Sequence, residues 1–314
     1  MPRIVTVSLA ASSLPHSALC IGSLAENLAG DGPIHLLTDT PRDEEQLRRA
    51  FADQPRIKVF HSDPLWEDPR NPMRDHAGLN KLREGHPCWR KLTDPMLLAA
   101  DGDEVVVIDP DVYFPRPFDF EEVPDGTLRL MWQKPNCLLP HSVVQRAFDL
   151  GVDMADHVDI GVAQYRSPLD LDWLDWLAKS LGDLPWIMHV EPIFWAALAM
   201  RMGGGYLNPE RWYCWANTQW KRVQKKVGTS PLRMLQGEDF RTCLAFHAGG
   251  EAKKWLADPD AEALLKQLAA APGGKPLPEA TILPFVRFTP QRFRWLQRRT
   301  KLLRSAGYYR LIRG

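Results

Sequence analysis

Four consecutive β-branched residues, Val105-Val106-Val107-Ile108, constrain this chain more than any other feature. A run with no polar side reads as a strand covered on both faces, the situation of a mostly parallel sheet flanked by helices. The preceding residues agree. Residues 4–9, 34–37 and 57–60 are short apolar runs, and residues 16–29 and 41–52 between them carry helical spacing. The second of these helices opens on Pro41 after Thr40 and is acidic early, as helix starts tend to be. Strand and helix in alternation predict an α/β fold with crossover helices. Further strands are expected over 128–132, 158–165 and 242–246, and helices over 89–100, 169–181 and 193–202. Residues 62–88 are polar and rich in Pro and Gly, the character of a long loop near a site with short helical pieces. After about residue 256 the chain changes: 257–270 is Ala/Leu-rich and helical, 271–284 is rich in Pro and Gly, and 285–314 is basic. The expected organisation is one α/β domain over 1–256 and a helical, basic C-terminal extension over 257–314.

The 314 residues suffice for a sizeable core, and Lys+Arg and Asp+Glu balance at 39 each. No nucleic-acid partner is expected of a chain with that balance. Five widely spaced cysteines without a C-x-x-C pair exclude a disulfide framework and a structural zinc site. With no secretory signal and no apolar run of about 20 residues, the expected location is the cytoplasm. Twelve tryptophans suit sugar stacking, although each is more readily a core residue.

The β-branched run ends in Asp109-Pro110-Asp111. Ligands of open α/β sheets bind beyond the carboxyl ends of strands. Two carboxylates flanking a turn-fixing proline can both face one hard cation, Mn²⁺ or Mg²⁺, whose remaining positions go to water and substrate phosphates. The bland alternative is a strand-ending turn, which is how Asp101-Gly102-Asp103 is read. The second constellation is His247-Ala248-Gly249-Gly250-Glu251-Ala252-Lys253-Lys254-Trp255. A histidine delivered by a strand can ligate a metal, glycines let backbone amides approach phosphate oxygens, and a following lysine can neutralise them.

A strand ending in D-x-D with H-x-x-G-x-x-K-x-W far downstream resembles family-8 glycosyltransferases of the GT-A fold, which include glycogenin-like enzymes and bacterial lipopolysaccharide glucosyl- and galactosyltransferases. The resemblance implies Asp109, Asp111 and His247 as Mn²⁺ ligands, Gly250 and Lys253 as diphosphate contacts, and a packing role for Trp255. It implies a donor contact from Arg90 or Lys91, on the segment before the D-x-D strand. Asp159-Ile160-Gly161-Val162 is similar to a family N-S-G-V segment, which would put Asp159 against the donor sugar. His189-Val190-Glu191 stands where the family carries D-Q-D close to the reacting carbon. The implied reaction moves a hexose from a nucleotide-diphosphate sugar, UDP-glucose or UDP-galactose, to a hydroxyl of a glycan or glycolipid. The resemblance also implies retention, the leaving phosphate taking the acceptor proton; an inverting enzyme would need Asp159 or Glu191 as base.

Two other functions share parts of this pattern. A nucleotidyltransferase would carry a glycine-rich phosphate loop after the first strand, yet Leu9-Ala10-Ala11-Ser12-Ser13-Leu14-Pro15 has no glycine. A non-catalytic sugar-binding protein would leave the carboxylate, histidine and lysine set unused. From Val286 to Gly314 there are nine Lys/Arg and no Asp or Glu, interleaved with aromatic and aliphatic residues. That pattern suits peripheral contact with an anionic membrane, or an apolar side docked on the domain with its charges solvated.

Overall fold

The computed structural model describes residues 2–271 and 276–308. Its strands are β1 (Arg3–Ser8), β2 (Ile34–Thr38), β3 (Ile57–His61), β4 (Glu104–Ile108), β5 (Val112–Tyr113), β6 (Leu128–Trp132), β7 (Met154–Ala155), β8 (Val158–Arg166), β9 (Gly204–Leu207), β10 (Trp212–Cys214), β11 (Ala245–His247), β12 (Ile282–Pro284) and β13 (Arg287–Phe288). Eight of them form one sheet in the order β12-β9-β6-β8-β4-β1-β2-β3. The pairs β3–β2, β2–β1, β1–β4 and β6–β9 are parallel, while β8 runs against both β4 and β6 and β12 runs against β9. This is the mostly parallel, helix-flanked α/β sheet that the β-branched run predicts. Every residue of β4 is buried, because it lies mid-sheet with side chains from both layers packed against it: Val105 and Val107 in one core, Val106 and Ile108 in the other.

Local chemistry explains the crossovers. The helix Pro41–Ala50 is capped by Thr40, whose hydroxyl oxygen accepts from the Asp43 amide at 3.0 Å, and Asp43 and Glu44 occupy its first turn. The helix expected over 89–100 is instead two short 3₁₀ segments, Pro87–Leu92 and Asp94–Leu98. Pro95 is the physical reason: it has no amide hydrogen and its ring would collide with the carbonyl four residues earlier.

Residues beyond 256 share the cores of the rest. Ala261 and Leu265 of the helix Ala261–Ala270 pack with Tyr113 and Phe246. Strand β12 forms an edge of the main sheet, β13 pairs with β7, and Phe288 and Phe293 are buried in the largest core. No helix among the described residues is long and apolar enough to cross a membrane.

Candidate active site

Strand β4 delivers Asp109, whose amide donates to the Gly161 carbonyl of β8 at 3.0 Å. The Pro110 turn reverses the chain into β5, which pairs antiparallel with β11 so that Val112 faces His247. The Ala248 amide closes the arrangement on the Asp111 carbonyl at 2.9 Å. Residues far apart in sequence are thereby clamped by backbone bonds. His247 Nε2 lies 3.3 Å from Asp111 Oδ1 and 3.7 Å from Asp109 Oδ2. One ligand atom from each of the three lies within 4.8 Å of the others.

Behind the imidazole stands Asp159, whose Oδ2 lies 2.8 Å from His247 Nδ1. A carboxylate on one ring nitrogen orients the ring and leaves the other nitrogen for a cation, the usual arrangement around metal-bound histidines. Gly161, two residues along β8 on the same face, leaves room for the ring. A Cβ there would lie 2.5 Å from His247 Nδ1 and 2.7 Å from its Cγ. Asp159 thus contacts His247 directly. The sequence did not single out Cys214 at all. It pairs in register with His247 across β10 and β11, and its sulfur joins Asp159 and His247 in a second close group. Burial pushes this thiol up to about 12, so it stays neutral beside the carboxylate.

The electrostatics follow from enclosing many charges. Burial disfavours a charged His247, yet Asp159 and then Asp111 outweigh it and hold the imidazole well above its usual range. Burial likewise raises Asp111, but the charge and hydrogen bond of His247, followed by Lys253, bring it below the ordinary carboxylate value.

Lys91 is not a solvated helix residue. Its buried ammonium lies 2.6 Å from Asp109 Oδ1 and 2.9 Å from Glu191 Oε2. Burial opposes that charge, but Asp109 and Glu191 together hold Lys91 well above its ordinary value. The other oxygen of Glu191 accepts from Trp195 Nε1 at 3.0 Å. Burial raises Glu191 to about 7, partly countered by Lys91. The neighbouring Arg90 turns elsewhere, its Nη1 lying 3.0 Å from both Asp39 and Asp63. His189 is exposed on the turn before Glu191. Gly250 has φ +67° with open space beside it, a backbone suited to glycine. Lys253 is half-buried, and its charge is felt at Asp111 and at His16 on the helix Leu14–Asn27.

Two carboxylates and an imidazole converging within 4.8 Å fit a cation such as Mn²⁺. The imidazole nitrogen turned toward the carboxylates is the one Asp159 leaves free.

No family model matches the chain, and no curated protein matches it. Solved structures do. The apo form of mouse xyloside xylosyltransferase 1 matches at TM-score 0.49 and 11% identity, over 80% of this chain and 99% of that one. A galactosyltransferase in complex with donor and acceptor sugar analogues matches at TM-score 0.44 and 14% identity, over 88% of this chain and 98% of that one. A glycosyltransferase of Streptococcus pneumoniae matches at TM-score 0.47 and 10% identity, over 85% of this chain and 63% of that one. These are distant likenesses of chain path.

Proposed function

We propose that this protein is a metal-dependent glycosyltransferase of GT-A type that uses a nucleotide-diphosphate sugar. The observation that carries the reading is the convergence of Asp109, Asp111 and His247 at the carboxyl end of β4, with Lys253 beside them. Asp109, Asp111 and His247 would hold Mn²⁺ or Mg²⁺, which would supply charge stabilisation to the departing diphosphate. Lys253 adds a cation on the same side. It makes no hydrogen bond or ion pair among the described residues, so its charge is available to a ligand. Gly250 lets the backbone of the loop approach phosphate oxygens.

The carboxylates that an inverting enzyme would need as base are both committed. Asp159 is held on His247, and Glu191 is 3% exposed with one oxygen on Lys91 and the other on Trp195. A general base must reach the proton it takes, so their engagement supports retention, with the leaving phosphate accepting the acceptor proton. UDP-glucose or UDP-galactose is the donor the sequence resemblance implies, with a glycan or glycolipid hydroxyl as acceptor.

The basic C-terminal stretch supports a glycolipid. In the helix Pro290–Ser305, Phe293 faces the core, while Trp295 and Leu302 are exposed and one heptad apart. Arg292 and Arg299 stack on Trp295, so the helix docks by one side and offers the other to an anionic surface. Tyr309 and Leu311, part of the same pattern, lie outside the described residues.

Hydrolysis of UDP-glucose and UDP-galactose, measured with and without Mn²⁺, tests the reading. Metal-stimulated release of UDP is expected. Absence of UDP binding by calorimetry, with or without Mn²⁺, would sink it.

A further inference from the structure

The helix Gln219–Lys226 is amphipathic in the wrong sense for a helix packed on a domain. It has no buried residue. Its inner side is ionic: Lys221 Nζ lies 2.6 Å from Glu238 and 5.3 Å above the Trp215 ring, and Lys225 pairs with Glu251. Its outer side is apolar. Trp220, Val223 and the following Val227 recur at the spacing of one helical stripe and are 68%, 49% and 76% exposed. A surface helix normally turns its apolar stripe to the core, so this one is built to be covered by something else.

We propose that this stripe docks on an anionic lipid surface. The charge on the helix selects that occupant. It carries Lys221, Arg222, Lys225 and Lys226 and no carboxylate. Lys226 is exposed and borders the stripe, Arg222 lies one turn back from it beyond the edge and is half-buried, and neither makes an ion pair among the described residues. Tryptophan at headgroup depth, beside cations reaching lipid phosphates, is the pattern of an interfacial helix. A protein partner would have to match an apolar stripe with an acidic border, and nothing on this chain's described surface pairs with the flanking cations.

The position gives the docking a consequence. Glu251, which anchors Lys225, also accepts from Asn217 Nδ2 at 3.2 Å, and it lies between His247 and Lys253 in the chain. The docking helix is therefore latched to the loop of the candidate site, and an acceptor hydroxyl carried in the bilayer would be held at its mouth. That last step rests on the glycosyl-transfer reading; the docking does not.

Flotation of the full chain with phosphatidylcholine vesicles, with and without phosphatidylglycerol, tests it. Binding to the anionic vesicles that weakens with salt is expected. W220S/V223S/V227S should lower the partition coefficient by roughly tenfold or more, and R222E/K226E should lower it on anionic vesicles alone. Both are also compared in a W295S/L302S background, so that the C-terminal helix cannot mask the loss. Metal-stimulated donor hydrolysis in solution should be unchanged in both variants, which separates failure of docking from failure of the proposed activity. If the triple variant does not fold, as judged by circular dichroism, R222E/K226E decides alone. Unchanged flotation in folded variants overturns the proposal. So does a concentration-dependent dimer that W220S/V223S/V227S abolishes without any vesicle binding, since a second copy would then be the occupant.

Discussion

Substituting Gly161→Ala probes the link between the sheet and the candidate metal site. The added Cβ would lie 2.5 Å from His247 Nδ1, 2.7 Å from Cγ and 3.0 Å from Met131 Sδ. Unstrained heavy-atom contacts fall near 3.5–4.0 Å, so the ring must retreat by about 1 Å. The Nδ1–Asp159 bond is 2.8 Å. A shift of about 1 Å away from β8 stretches it past the range in which a hydrogen bond counts. His247 is buried and has little room. Two losses follow. Overpacking should lower folding stability by about 1–3 kcal/mol. Losing the partner that orients a ligating histidine should weaken Mn²⁺ binding by roughly 10–100-fold. Chemical denaturation measures the first, and titration calorimetry with Mn²⁺ measures the second. A folded Gly161→Ala protein that binds Mn²⁺ with unaltered affinity would refute the reasoning, because the imidazole would then be no ligand or its orientation irrelevant.

Asp111→Asn should remove most metal-stimulated donor hydrolysis; full activity would mean that the pair is only a turn. Lys253→Ala should leave stability within about 0.5 kcal/mol, since the side chain has no partner to lose. It should weaken UDP binding by roughly tenfold or more, the worth of one charge-assisted bond, and calorimetry reads this directly. Lys91→Met leaves the buried Glu191 carboxylate without its cation beside the half-buried Asp109, so urea unfolding should show a loss of about 3–5 kcal/mol, and adding Glu191→Leu should recover part of it. Burial opposes a charged His247, but Asp159 and Asp111 outweigh it and favour the protonated imidazole, which must shed its proton to ligate. Mn²⁺ affinity should therefore rise with pH, with about one proton released per ion, measurable by calorimetry in buffers of different ionisation enthalpy. Zero release would contradict a His247 ligand.

Much of the fold was legible because it follows from local pattern. The buried β4 run, the Thr40-capped helix and the early crossovers depend on side-chain period and capping, which a chain carries in its own order. Over 89–100 the helical spacing points to one helix, but Pro95, whose missing amide acts whatever the period, leaves two short 3₁₀ segments. The metal-ligand candidates were also legible, since Asp109-Pro110-Asp111 and the His247 to Lys253 stretch each hold their chemistry within a few residues.

What the sequence by itself determined, then, is the α/β class and two short stretches with complementary chemistry. Only the tertiary structure decided how their neighbours are used. It put Asp159 behind His247, made Gly161 the space the ring needs, brought Cys214 beside both, and set Lys91 between Asp109 and Glu191. The physical reason is that these relations are cross-strand and through-core. Strand pairing joins β5 to β11 and β10 to β11 across more than a hundred or some thirty residues of chain, respectively. No period or spacing along a sequence encodes which side chain a distant strand will face; register and burial settle that once the sheet has formed.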